Sequence, residues 1–472
     1  MPDSYALWCL CILGLLKEFR PSESFLTQYL VSPWQNYTKE EVNQEIYPVG
    51  TYSTLILLII VFLITDLLRY KPVIIVHSLA GAICYCLIIF GPSKTYVQGA
   101  EVFYGLFMAS EIAYSTYMYA SCQKEAYQKV TSYTRIALQA GRLLSGCLSQ
   151  LLISCDILNF HELNYLSLAG LLSSAVFGCL LPSVRKSVYF HRVTLEKERD
   201  PTSHAQFNCE DAALSAGEGE ENFEGIKPSP PEESIRDNDM QCVELEQLSG
   251  FNRIWDDFVH AFSNMYIVKW SIWWALTQCG YLQVTSYMQN LWQDTADVSN
   301  GQLYNGAASA TYTILGILSS WVVSQLEYEF DERKTHWLLC ICASLSGALI
   351  IFSSLSFSLL FQYTAYGAFK ILFQVMMIFA NTEVATSLSR DSHGLVFGFN
   401  TFVALVLQTV LTVIVTGKGG LQLSTRTQFF VYGSYYILIG CGFLVMALLT
   451  SLKKHLHSRE QQKCDATKAE EA

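Results

Sequence analysis

The chain is 472 residues long, with 51% hydrophobic residues, 15% charged residues and a formal net charge of -11 at pH 7. That acidity argues against a nucleic-acid partner, because neutralising phosphates needs clustered Lys and Arg. A soluble core has no need of apolar runs of about 20 residues, the length that crosses a hydrocarbon layer of about 30 Å, yet such runs recur along the whole chain.

In chain order, spans are predicted near Tyr5 to Leu30, Val49 to Leu68, Val73 to Phe90, Gly99 to Cys122, Tyr133 to Ser154 and Tyr165 to Leu181. Six more follow near Met265 to Trp292, Leu303 to Leu326, His336 to Phe357, Leu359 to Ala380, Leu395 to Thr416 and Phe429 to Leu452. Backbone groups in lipid must be paired within their own segment, so each run reads as a helix. The expected fold is an all-α membrane bundle of twelve transmembrane helices in two six-helix halves. Lys17, Glu18, Arg20 and Glu23 interrupt the first span around Pro21. A Pro-broken, charge-lined helix is tolerated where it borders protein or water, so this span is expected to face the interior. Nothing before Tyr5 is basic and no small-residue cleavage site follows Leu16, so the first helix is read as retained and not as a signal peptide.

Residues 182–255 are rich in Glu, Asp, Ser, Pro and Gly. Such a segment buries too little apolar surface to offset the entropy of ordering, and a flexible acidic cytosolic linker is expected. The organisation is then an N-terminal half over 1–181, the linker, a C-terminal half over 256–452 and a cytosolic tail over 453–472. Two halves joined in this way are the plan of carriers that rock around a central site.

Basic residues gather in alternate loops: Arg69 and Lys71, Lys124 and Lys129, Arg185, Lys186 and Arg192, Arg333 and Lys334, Arg390, and Lys453 and Lys454. The positive-inside rule assigns these loops and both termini to the cytosol. The one N-x-S/T sequon, Asn36-Tyr37-Thr38, falls in a loop expected outside, which makes Asn36 a candidate glycosylation site. The 15 cysteines are scattered, without paired CxxC motifs at zinc spacing, so neither a metal site nor a disulfide framework is expected. No HExxH, paired Asp or GxSxG motif in a suitable context supplies a nucleophile or a metal, so no enzymatic activity and no cofactor are expected.

Glu101 and Glu111 lie within the otherwise apolar stretch Gly99 to Cys122. A carboxylate at membrane depth is costly and is kept where it faces a cavity, a partner charge or a passing solute. The pair points to a carrier of a small polar solute, cationic by charge complementarity. The alternative for each acid is a structural hydrogen bond between helices. Glu23 reads equally as a ligand group or as the partner of Arg20 or Lys17, and His77 as a packing contact on an apolar helix.

The segments Arg20-Pro21-Ser22-Glu23-Ser24-Phe25, Asn43-Gln44-Glu45-Ile46-Tyr47-Pro48-Val49, Glu101-Val102-Phe103-Tyr104, Glu111-Ile112-Ala113-Tyr114, Ser271-Ile272-Trp273-Trp274-Ala275 and Leu395-Val396-Phe397-Gly398-Phe399-Asn400-Thr401-Phe402 resemble, in order, the reduced folate and thiamine carrier family. The resemblance covers both halves. It implies a major-facilitator fold, alternating access and vitamin uptake at the plasma membrane, with the bilayer and a small-molecule vitamin as partners. Charge sign separates the two vitamins: Glu111 and Gln408 match the thiamine members where the folate carrier has Arg and Lys, while Lys370 is basic as throughout the family. By resemblance, Glu101 and Tyr104, three apart on one helix, contact the pyrimidine of thiamine, and Tyr47 closes over it. Pyridoxine is a related cationic cargo. An organic-anion carrier for folate or a thiamine phosphate, using Arg142 and Lys370, is the alternative, as is a receptor that no longer transports.

The chain departs from the thiamine members at Gly50 (Trp there), Ser286 (Asn), Ser309 (Glu) and Arg142 (an aromatic), and Glu383 replaces a Gln. Arg142 is expected to pair with Glu111, since an unpaired guanidinium in the bundle is too costly. Lys370 either meets an anionic substrate or, for a cationic one, holds a carboxylate. Glu383 and Gln408 complete the candidate charge and coupling network.

Overall fold

The computed structural model describes residues 4–120, 127–183, 255–256, 258–299, 302–325, 332–387, 393–417 and 419–470. Most of the predicted linker lies outside the described residues, as do Lys124, Arg185, Lys186, Arg192 and Arg390 of the orientation pattern. Every regular element among the described residues is helical.

The N-terminal helices are α1 (Ser4–Glu18), α2 (Leu26–Val31), the single turn α3 (Lys39–Glu41), α4 (Tyr47–Leu67), α5 (Lys71–Phe90), α6 (Lys94–Ala109), α7 (Glu111–Ala120), α8 (Tyr127–Ser154) and α9 (Phe160–Leu180). The C-terminal helices are α10 (Met265–Ser299), α11 (Asn305–Gln325), α12 (Glu332–Leu355), α13 (Leu359–Ser387), α14 (His393–Val415) and α15 (Thr425–Glu470). Among the described residues, 8 helices are both long and apolar enough to cross a membrane: Lys39–Phe62, Lys71–Phe90, Val130–Ser154, Phe160–Leu180, Lys334–Leu355, Leu359–Asn381, Leu395–Val415 and Thr425–Leu452. Of the other four expected spans, α10 and α11 are continuous helices and two are interrupted. The first stops at Glu18 and resumes after a 3-10 turn over Pro21–Phe25, because Pro has no N–H for the helical ladder and its ring clashes with the preceding turn. The fourth breaks at Ser110, whose hydroxyl bonds back to the Leu106 carbonyl at 2.7 Å, and the break puts Glu111 in the first turn of α7.

Pro48 also shapes its neighbourhood. Lacking an N–H, it leaves the carbonyl one turn earlier without its usual donor, and the preceding Val42–Ile46 winds as a π-helix that delivers Tyr47 to the start of α4. Thr38 and Glu41 form a capping box at the mouth of this segment.

The helices before residue 184 pack mainly on one another, through α5 against α6 and α9 and α1 against α8 and α9, and those after 255 do the same, through α12 against α13 and α15. The two largest seams between the halves are α8 with α11 and α4 with α14. At the first, a Cβ on Gly306 would lie 2.8 Å from the Gly146 carbonyl and 2.9 Å from the Gln150 nitrogen, so only glycine permits this approach. Small residues that let backbones close are the usual adhesive between helices in lipid, where no hydrophobic drive acts between them. Aromatic packing fills the C-terminal half, with Trp270, Tyr287, Phe369, Tyr432 and Tyr436 fully buried.

Candidate functional site

The broken first helix turns its charges inward, as expected from Pro21. Lys17 is 0% exposed and Glu18 only 7%. Glu18 is the hub of a network: it accepts from Arg142 Nε at 2.8 Å and Nη2 at 3.2 Å, with Arg20 Nη2 at 3.5 Å and Lys17 Nζ at 3.6 Å. Lys17 also pairs closely with Glu111, and Arg20 with Glu23 at 3.2 Å. Three cations (Lys17, Arg20, Arg142) and three acids (Glu18, Glu23, Glu111) therefore balance. The expected Arg142–Glu111 pair is corrected by this geometry: α1 runs beside α8, so Glu18 reaches Arg142 first, and Glu111 is taken by Lys17.

His77 is more than a packing residue. Its Nδ1 lies 2.8 Å from the Phe107 carbonyl, its ring stacks on Phe107 at 4.1 Å, and its Nε2 sits 3.6 Å from Glu111. The Glu111 side chain is 39% exposed and that of Arg142 52%. Charged groups in a bundle are kept where they face a cavity or a partner and not lipid, and both of these are paired.

Glu101 is different. It is 8% exposed, and no hydrogen-bond or ion-pair partner reaches its carboxylate among the described residues. Tyr47, Tyr104 and, from the opposite half, Tyr287 of α10 lie within electrostatic range of it without hydrogen-bonding it. Tyr47 and Tyr287 meet edge to face at 6.3 Å. The Tyr47 hydroxyl is engaged by Thr27 at 2.6 Å, and Thr27 in turn lies 3.2 Å from Asn290 Oδ1. Asn290 Nδ2 reaches Asn43 at 3.3 Å, Gln289 donates to the Glu23 carbonyl at 2.8 Å, and Lys39 bridges to Asp294 at 3.0 Å and Asp297 at 2.5 Å. At this end of the bundle, next to Asn36, the two halves are closed on each other.

Lys370 of α13 lies over the rings of Tyr312 and Tyr366 at 5.6 and 5.1 Å, with no carboxylate at ion-pair distance among the described residues. The carboxylate partner expected for it is absent from that set; cation–π contact, worth about 0.5–2 kcal/mol, takes its place. Glu383 accepts from Tyr266 at 2.5 Å and makes no ion pair with Arg142 or Lys17, so it belongs to a separate contact between α10 and α13. Gln408 is buried on α14, one turn before Thr412, whose hydroxyl bonds Gln283 at 3.1 Å. Asn36 is exposed in a left-handed turn with φ of 54°. Glu18, Thr27, Gln289, Asn290 and Tyr287 were not singled out from sequence. The charged run within an apolar span did point to the first; the others are ordinary residues until α10 is set against α2.

Two helical halves that meet through polar side chains, beside a buried acid with no partner among the described residues, have the plan of a membrane carrier. The reduced folate carrier family matches residues 4–431, and the chain belongs to that family. It is 35% identical to thiamine transporter 1 of Mus musculus over 94% of this chain and 90% of that one, and 36% identical to mouse thiamine transporter 2 over the same shares. Similarity to the human reduced folate transporter is 31%, over 94% of this chain and 72% of that one. Its fold is that of solved major-facilitator transporters: a POT family transporter (TM-score 0.60, 13% identity, 93% of this chain and 96% of that one) and the nucleoside transporter NupG (TM-score 0.60, 14% identity, 93% and 99%).

Proposed function

We propose that this chain takes up an organic cation across the plasma membrane by alternating access, with thiamine as the leading cargo and pyridoxine as a related one. The observation that carries this reading is the unpartnered Glu101 carboxylate among Tyr47, Tyr104 and Tyr287. An acid can accept from the aminopyrimidine while the aromatic faces attract the thiazolium charge. The names of the similar proteins agree with such a cargo. Glu111 and Glu23 enter the reading as groups at the water-accessible edge of the ion network, released to the cargo or to a coupling proton when Lys17 and Arg20 shift toward Glu18. Both termini and the linker are assigned to the cytosol and the Asn36 end to the outside, where Asn36 is open to glycosylation, within a twelve-span arrangement. The contacts around Thr27, Asn290 and Lys39 then form the outer gate, closed in this conformation. For a monovalent cation an inside-negative potential supplies about 2.3 kcal/mol per 100 mV.

Uptake of labelled thiamine, pyridoxine and folate by cells expressing the full chain tests this. Saturable thiamine or pyridoxine uptake, lost in Glu101→Gln at normal surface level, supports it; folate uptake alone, or none, overturns it. A second reading rests on Lys370 and the half-exposed Arg142, close enough for their charges to interact: they suit an organic anion such as a thiamine phosphate. Stronger inhibition of uptake by thiamine monophosphate than by thiamine would favour that reading.

A further inference from the structure

The contact between α4 and α6 holds a second feature of the binding corner. A Cβ built on Gly50 would collide with Glu101 Oε2, and would lie 3.5 Å from Cδ and 3.8 Å from Cβ of the same side chain. The acid is therefore folded back onto the α4 backbone, in the volume that a side chain at position 50 would fill. One turn along, the interlocking is reciprocal: a Cβ on Gly105 of α6 would lie 2.6 Å from Ser53 Cβ and 2.8 Å from the Thr54 nitrogen of α4. The two helices are thus pinned at backbone contact beside Glu101. They cannot part to admit a larger residue 50, so any added group must displace the carboxylate. Its flexible end is free to move, since no hydrogen bond or ion pair holds it among the described residues.

We propose that Gly50 is a specificity-determining residue: having no side chain, it leaves against α4 the space that the Glu101 carboxylate occupies and from which the carboxylate is drawn toward a bound cation. A side chain at position 50 would take the space that the acid now fills. Binding then includes the cost of drawing the acid out. A methyl group at position 50 removes the retracted position, presents the acid permanently, and lowers the KM for a small cation. The lower KM rests on the cation reading; the steric coupling between the two residues does not depend on the cargo.

Gly50→Ala, Glu101→Ala and the double substitution in the full chain separate these points. The expected results are a thiamine KM at least threefold lower in Gly50→Ala with little change in maximal rate, and a thermal-unfolding shift from Gly50→Ala that disappears in the Glu101→Ala background. An unfolding shift of the same size in both backgrounds would overturn the proposal, because the methyl group would then act on something other than the acid. So would a KM that stays level or rises. If wild-type protein neither transports nor binds thiamine, the cation reading falls, while the unfolding comparison still decides whether Gly50 governs Glu101.

Discussion

Two buried acids of the N-terminal half have opposite surroundings. Glu18 sits among Arg142, Arg20 and Lys17, each within 3.6 Å, whereas Glu101 has no counter-charge within ion-pair distance among the described residues and lies against the bare backbone at Gly50. Depth in the bundle is the same kind of cost for both. What differs is where the compensation comes from. At Glu18 it is supplied by the fold; at Glu101, on the reading proposed above, it is left to the cargo.

Breaking the first site is expected to give the largest effect. Glu18→Ala leaves Arg142 without its carboxylate and takes the shared acid from Lys17 and Arg20, and loss of one partner from a buried ion cluster costs about 3–5 kcal/mol. The purified protein should unfold at markedly lower temperature and reach the surface poorly; adding Arg142→Leu should recover part of the loss, since the two substitutions share one interaction. At the second site, Glu101→Gln should leave unfolding almost unchanged while uptake falls about 10- to 100-fold, the worth of a hydrogen bond to a charged group at about 1.5–3 kcal/mol. Equal stability losses at Glu18 and Glu101 would erase the distinction between them.

Smaller changes sharpen it. His77→Phe keeps the stacking on Phe107 but removes the bond to its carbonyl, for about 1 kcal/mol of stability, read as a small drop in the unfolding midpoint. Lys39→Ala should have the least effect on stability, about 0.2–1 kcal/mol for a partly exposed pair. Its signature is faster labelling of a cysteine placed at Thr27 by an impermeant thiol reagent, because the bridge to Asp294 and Asp297 closes that end. Unchanged labelling would show that the hydrogen bonds from Gln289 and Asn290 hold the gate unaided.

Much was legible in the residues themselves. Run length and hydropathy announce a helical membrane protein, Pro21 announces the break in the first span, and an acid in an apolar stretch announces an interior position, all because lipid penalises unpaired polar groups wherever they occur. The segment similarities led to the family by the same route, since short motifs keep their order in the chain. Partner choice was not legible. Among the described residues Arg142 is bound by Glu18 and not by Glu111, Lys370 meets tyrosine rings and not a carboxylate, and the space beside Gly50 is filled by the folded-back Glu101. Each depends on which helices run side by side and how near their backbones come. Those distances are set by small-residue seams between segments far apart in the chain, so only the assembled tertiary structure decides which charge is satisfied and which is left for a ligand.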